Sequence, residues 1–370
     1  MRSAPPAVGE SSSHRQTDAI PIEYPDLGSR VYLAGVPVSL TDALAELYRS
    51  FYCLLEYFEL YDRPANLNAC VLDDPPHIIL FTRRGRDAVI LNQLFDIDGR
   101  AARRVCQSIL RALPNARRVR INGFKIDPAD IGLPFRTLWT DTDVVMALPS
   151  SREDYEQQLG RSTRTHLRRY MNGLSKATPE FGFEVRERCA ITDELVRQIV
   201  AFNHVRMRVK GKISGIDRPY EQRLGKMLAG YGFAGVLKVR QEVIAGCFCT
   251  KLGASYHAHL QGFEFDEPYA RLHVGLLCTY LTVCAAIERG GLEFDFGWGI
   301  TEYKRHLGGR PLTVYNASLY RNRLSRALAV SEIRWLVMRR VSTWRAYRRL
   351  RHALGAVRRL SRDTEERPVR

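Results

Sequence analysis

Several features that would settle the class of this 370-residue chain at once are missing. No apolar run reaches the ~20 residues that a membrane-spanning helix needs. The longest, Val274 to Ile287, is interrupted by Thr279 and Thr282. The Pro- and Ser-rich start lacks the apolar core of a signal peptide. None of the 8 cysteines forms a Cys-x-x-Cys pair, and Cys247 and Cys249 have no matching second half for a zinc site. No metal is therefore expected, and the thiols read as reduced and buried in a cytoplasmic protein. Acidic side chains are in deficit, 40 against 56 basic ones, for a net charge of +16. That balance suits anionic partners and says nothing of fold.

What is present reads as an α+β chain long enough for two domains. Residues 1–20 read as a disordered leader, 21–150 as one half, 151–320 as a second, and 321–370 as a basic tail. In the first half, helical periodicity runs from Thr41, as N-cap, through Leu44, Leu47, Phe51, Leu54 and Phe58. His77 to Thr82 and Asp87 to Asp96 alternate as strands and meet at a turn containing Gly85. Gly99 to Leu113 follows as a helix, then Val119 to Phe124 and Asp143 to Leu148 as strands. The second half repeats this grammar. Ser151 to Lys176 reads as a basic helix, Phe181 to Glu187 as a strand, and Thr192 caps a helix reaching Val209. Another helix spans Pro219 to Ala229. Strands at Gly235–Arg240, Val243–Leu252 and Ser255–Phe263 precede a helix from Gly275 to Arg289. Leu292 to Phe296 and Thr313 to Tyr320 are the last strands. Both halves thus read as a sheet covered by helices. In the tail, arginines such as Arg334, Arg339 and Arg340 interleave with Trp335, Leu336 and Leu350. That is an amphipathic pattern, suited to packing on the body, to an anionic membrane surface or, less well, to nucleic acid.

Candidate chemistry concentrates between Tyr256 and Gly309. A strand, a loop with Arg271 and His273, and a helix beginning at Gly275 present a helix N-terminus that can hold a pyrophosphate; an ordinary sheet-to-helix connection has the same form. Asp295, at the end of an apolar strand and before Gly297-Trp298-Gly299, can accept a proton from an acceptor or hydrogen-bond the loop behind it. Tyr303 is a suitable proton donor to a departing thiolate and Lys304 a suitable phosphate partner. His257 and His259 fall on one strand face. Arg164 and Arg168 share a helix face, and Arg206 belongs to a second basic cluster; each suits an acceptor's phosphates or a solvated face.

The stretch HLQGFEFDEPYARLHVGLLCTYLTVCAAIERGGLEFDFGWGITEYKRHLGG resembles the C-terminal signature of CelD-type, FemAB-like acetyltransferases of the GNAT superfamily. A Tyr-Ala turn (Tyr269-Ala270), a loop ending in Gly275, a Leu-rich helix, a Phe-Asp-Phe-Gly strand and the Tyr303-Lys304 pair carry the likeness. Upstream, RTHLRRYMNGLSK and FNHVRMRVKGK are similar to the family's basic helices, so it covers about Tyr155 to Gly309. It implies tandem GNAT-like domains with mixed sheets covered by helices, and acyl transfer from acetyl-CoA or another acyl-CoA to an amine or hydroxyl of a small-molecule or glycan-precursor acceptor. On that basis Asp295, Tyr303 and His259 are the expected catalytic residues. Arg271, His273, Gly275 and Lys304 would hold the donor, and Arg164, Arg168, Arg206, His257 and Trp298 would face the acceptor. His273-Val274-Gly275 stands where the family has Ser-Pro-Gly, Trp298 where it has a charged residue, and the Gly-x-Gly pyrophosphate loop of ordinary GNAT enzymes is absent. The rival readings are a related aminoacyl-tRNA-dependent transferase and a non-enzymatic membrane-surface scaffold in envelope synthesis, and the expected place is the cytoplasm or the periphery of the inner membrane face.

Overall fold

The computed structural model describes residues 20–61, 66–267 and 269–329. Residues 1–19 of the expected leader and 330–370 of the expected tail lie outside them. The first half comprises β1 (Ile22–Tyr24), β2 (Ser29–Tyr32), α1 (Val38–Leu47), α2 (Leu55–Tyr61), β3 (Leu67–Asp73), β4 (Pro76–Arg84), β5 (Asp87–Ile90), α3 (Gly99–Ala112), β6 (Arg118–Phe124) and β7 (Phe135–Ala147). The second comprises α4 (Arg152–Gln158), α5 (Arg161–Ala177), β8 (Phe181–Glu187), α6 (Asp193–Val209), α7 (Arg218–Tyr231), β9 (Gly232–Val239), β10 (Glu242–Leu252) and β11 (Ser255–Phe263). It ends with α8 (Val274–Glu288), β12 (Glu293–Asp295), α9 (Glu302–His306), β13 (Arg310–Tyr320) and α10 (Arg323–Ala327).

All the described strands join one mixed sheet, ordered β1-β2-β3-β4-β5-β6-β13-β7-β12-β11-β10-β9-β8. Each half contributes the same unit. Four antiparallel strands (β2 to β5, β8 to β11) are followed by a helix, α3 or α8, that crosses to a parallel neighbour, β6 or β12. The next strand of each half is exchanged. β7 pairs with β12 of the second half, and β13 pairs with β6 of the first, while β7 and β13 pair with each other. One core runs across the halves, joining Leu44, Phe58 and Ile109 to Ile199, Leu224 and Leu228. The other gathers Tyr155, Leu167 and Leu174 under the apolar helix α8.

The structure departs from the sequence expectations in five places. The helix expected from Thr41 through Phe58 begins after Pro37 and is broken, with a 3-10 turn at Phe51–Cys53. Tertiary bonds pull the chain onto the sheet there: the Ile78 N–H donates to the Tyr48 hydroxyl at 3.0 Å and Ser50 Oγ to Gln93 O at 3.2 Å. Phe51, Cys53 and Leu54 are buried as a result. The helix expected over Ser151 to Lys176 is two, because Leu159 turns into the core before Gly160. β3 was not expected at all, and β7 starts at Phe135 rather than Asp143. The strand expected as far as Asp96 stops at Ile90. Capping reads better: the Thr192 hydroxyl accepts from Leu195 N–H at 3.2 Å and so opens α6.

Candidate active site

The site begins with a divergence. β11 and β12 run parallel over three pairs only, Ser255–Glu293, Tyr256–Phe294 and His257–Asp295. Beyond Asp295 the chain turns toward β7: the Phe296 N–H donates to Val144 O at 2.8 Å and Gly299 N–H to Thr142 O at 2.8 Å. Gly297 (φ +76°) and Gly299 (φ +84°) make that turn in a backbone region closed to most side chains. β11 continues to Phe263, so its β12-facing edge is left without a strand partner beyond His257. At the same level β11 bulges: Cys249 pairs with Ala258 and Phe248 with Leu260, which leaves His259 as the extra residue. Bulges re-aim side chains and free backbone groups, often beside active sites.

A cleft of about 410 Å³ opens at this divergence. β11 contributes Ala258, His259, Leu260 and Gln261, and the facing wall contributes Phe296, Trp298, Tyr303 and Lys304. Arg206 and Asn203 of α6 and Tyr220 of α7 close it above, and Tyr52 of the first half enters beside His259. The Tyr52 ring lies 6.2 Å from the His257 ring and 6.1 Å from that of His259. His259 Nε2 is 2.8 Å from Thr250 Oγ1. Lys304 Nζ donates to Gly297 O at 2.7 Å and to Trp298 O at 3.0 Å, and so fixes the glycine turn.

Under the cleft lies a pair of buried carboxyls. Val145 of β7 sits opposite Asp295 of β12, so the two-residue strand period puts Asp143 on the Asp295 face, one step along. Asp295 is 3% exposed and Asp143 0%. Burial pushes Asp295 up to about 6, opposed by the Gly297 N–H, which donates to Oδ1 at 2.6 Å. Burial, and then the Asp295 charge, push Asp143 up to about 7. Its two oxygens have no hydrogen-bond partner of good geometry. Two buried carboxyls this close titrate as a unit, and near neutral pH the pair exchanges a proton readily. His257 Nε2 stands 3.8 Å from Asp295 Oδ2. Burial lowers His257 to about 4, and burial followed by the His257 charge lowers His259 to about 3, so both imidazoles are neutral at pH 7. Burial raises Tyr303 to about 12, against the pull of Arg206, so its phenol keeps its proton. Lys304 is lowered by burial, with Asp295 and Asp143 pulling it back.

The structure brings Asp295, His257, His259, Tyr303, Lys304, Arg206 and Trp298 together. It does not gather the other five expected residues there. Arg164 and Arg168 line a small separate pocket with Tyr280 of α8, where Arg164 donates to Glu156 O and Gln157 O. Arg271 is exposed and paired with Glu267 at 2.9 Å. His273 takes the left-handed N-cap position of α8 and packs on Tyr170, ring centroids 4.4 Å apart. A Cβ on Gly275 would come within 2.3 Å of the Phe263 ring, so this glycine serves helix–strand packing. Asp143 and Tyr52 were missed. An acid at an inward strand position was the one available sign of Asp143; Tyr52 gave none. Among the described residues no cluster of His, Cys, Asp or Glu is arranged to hold a metal ion, and no helix is long and apolar enough to cross a membrane.

Residues 161–305, less than half of the chain, match the family described as acetyltransferase (GNAT) domain. No curated protein matches the sequence. Among solved structures, FemX superposes with a TM-score of 0.59 at 10% identity, over 80% of this chain and 99% of that one. The C-terminal domain of a putative lysylphosphatidylglycerol synthetase from Agrobacterium fabrum gives 0.50 at 14% identity, over 81% and 96%. A conserved protein of unknown function from Bacteroides thetaiotaomicron gives 0.51 at 12% identity, over 78% and 99%. At such identities the likeness is one of fold. The chain therefore has a GNAT/FemAB-like α+β fold, carries an acetyltransferase (GNAT) domain over residues 161–305, and is an acyltransferase.

Proposed function

We propose that the chain moves an acyl group from an acyl-CoA thioester to the amine or hydroxyl of an amino sugar or envelope-polysaccharide precursor, by direct attack in a ternary complex. The observation that carries this reading is the opening between β11 and β12, with a bulge at His259 and a carboxyl pair buried beneath. The acceptor gives its proton to the Asp143–Asp295 pair, whose raised affinity for protons suits a base working near neutrality. N–H groups on the unpaired edge of β11 face the carbonyl oxygen as it gains charge. The Tyr303 phenol gives its proton to the sulfur as the thiolate leaves. Lys304 holds the Gly297 turn, and Arg206, at the mouth, suits an anionic group of either substrate. All eight cysteines are free, which supports a reducing, cytoplasmic setting. The test is acyl-CoA consumption with a panel of amino sugars. Asp295→Asn should slow turnover by about 10²–10⁴-fold and Tyr303→Phe by about 10²-fold, with melting temperatures near the parent's. Unchanged turnover in both variants would sink the assignment.

A second reading, an aminoacyl donor, is favoured by the amino end of α8. Phe263 covers Gly275, Tyr170 covers His273, and Arg271 is spent on Glu267, so those groups are not arranged around a pyrophosphate. The name of the Agrobacterium fabrum protein also denotes a product that is an aminoacylated lipid. Thermal stabilisation by CoA supports the first reading. Steeply salt-dependent tRNA binding without it supports the second.

A further inference from the structure

Four arginines converge on the side of the sheet where β13 ends. Arg83 near the end of β4, Arg86 in the β4–β5 turn, Arg117 before β6 and Arg321 after β13 together line a surface pocket of about 620 Å³ with Pro114, Asn115, Ala116 and Ser325. The backbone sets this convergence. Arg117 N–H donates to Arg86 O at 2.9 Å, and Arg321 N–H to Arg117 O at 3.4 Å. Arg321 is anchored further, its guanidinium donating to the carbonyls of Leu110, Leu113 and Pro114 at the end of α3. No carboxylate lines the pocket, and among the described residues none of the four is ion-paired. The nearby Asp87 is engaged by Arg118 through two bonds of 2.7 Å. Four unpaired cations held in one concavity repel one another and create a potential that an anion relieves.

The neighbouring surface says which anion. α10 begins two residues after Arg321 and exposes Leu324 (66%) between Arg323 and Arg326, and Leu328 (60%) is exposed just past its end. Single-stranded nucleic acid is gripped by arginines with aromatic platforms. Large aliphatic side chains standing among arginines suit the boundary between headgroups and acyl chains. The interleaving of arginine with leucine and tryptophan continues in the sequence past residue 329.

We propose that this arginine pocket and the two leucines beside it form a docking surface for anionic phospholipids. Headgroup phosphates accept hydrogen bonds from Arg86 and Arg117, and Leu324 and Leu328 enter the acyl boundary. The experiment is co-sedimentation of the full chain with phosphatidylglycerol and with phosphatidylcholine vesicles. Binding to the first, weakening with salt, is expected, and little to the second. Arg86→Gln/Arg117→Gln should weaken it about tenfold or more, and Leu324→Gln/Leu328→Gln should weaken it as well. These side chains are exposed, so both variants should melt with the parent. Either double variant binding like the parent overturns the proposal, since the rest of the chain then accounts for the affinity. Equal binding to phosphatidylcholine overturns it too. So does displacement by inorganic phosphate but not by chloride of equal ionic strength, which marks a free-phosphate site. Loss of RNA binding with vesicle binding intact assigns the pocket to nucleic acid instead.

Discussion

Asp295 and Asp143 are far apart in the chain and meet only because β7 crosses to pair with β12. Their environment makes a pH-dependent prediction. Asp143 binds its proton more tightly folded than unfolded, about 7 against about 3.9. Its favourable contribution is therefore complete below about pH 4 and lost as the pH rises through about 7. Asp143→Asn should stabilise the protein by roughly 1–3 kcal/mol at about pH 8, and the gain should vanish near pH 4. The histidines act in the opposite sense. Their folded values lie below the unfolded one, so their contribution is lost as the pH falls from about 6.5 toward about 4. The difference between variant and parent removes the His259 part of that term, while His257, which the Asp143 charge holds up, keeps a smaller one below about pH 6.5. Melting curves with an equal gain at both pH values would refute the placement of Asp143. Asp295 was legible in the sequence because an acid interrupts an apolar strand before a glycine turn. Asp143 was not, since nothing in its own segment says which strand will lie beside it.

The elements that hold the cleft open depend on close backbone approaches. At Gly262 of β11 an added Cβ would come within 2.1 Å of Ile199 O on α6, a backbone atom that cannot swing aside. Gly262→Ala should cost about 1–3 kcal/mol or more and weaken substrate binding, because α6 carries Arg206 over the cleft. Urea unfolding with an unshifted midpoint would contradict this. By comparison, Thr192→Ala removes the cap of α6 and should cost only about 1 kcal/mol. Most elements of the second half were readable because periodicity, caps and glycines agreed, as in β8, α6 and β11. The break between α1 and α2 was not, because the bonds from Tyr48 and Ser50 to distant strands overrode a continuous helical pattern. The bulge at His259 was equally hidden, since it is a relation between two strands and leaves no mark on either.

The repeated grammar of the two halves was visible in the sequence; the exchange of their strands was not. β13 fills the place between β6 and β7, and the aromatic contact of Phe51 with Tyr231, 5.2 Å between ring centroids, ties the halves again. A chain ending before Arg310 should therefore lose its cooperative transition altogether, rather than leave one half folded, because both inner edges of the sheet are then exposed. Circular dichroism melting of that truncation would show it, and a retained sharp transition would contradict the exchange. At this scale we propose that acyl transfer takes place in the opening between β11 and β12, over the buried carboxyls. The most direct measurement is kcat/KM for acyl-CoA consumption, with whichever amino-sugar acceptor the parent uses, in the parent and in Asp295→Asn. A loss of about 10²–10⁴-fold with an unchanged fold is expected. A folded Asp295→Asn enzyme with the parent's kcat/KM would contradict it.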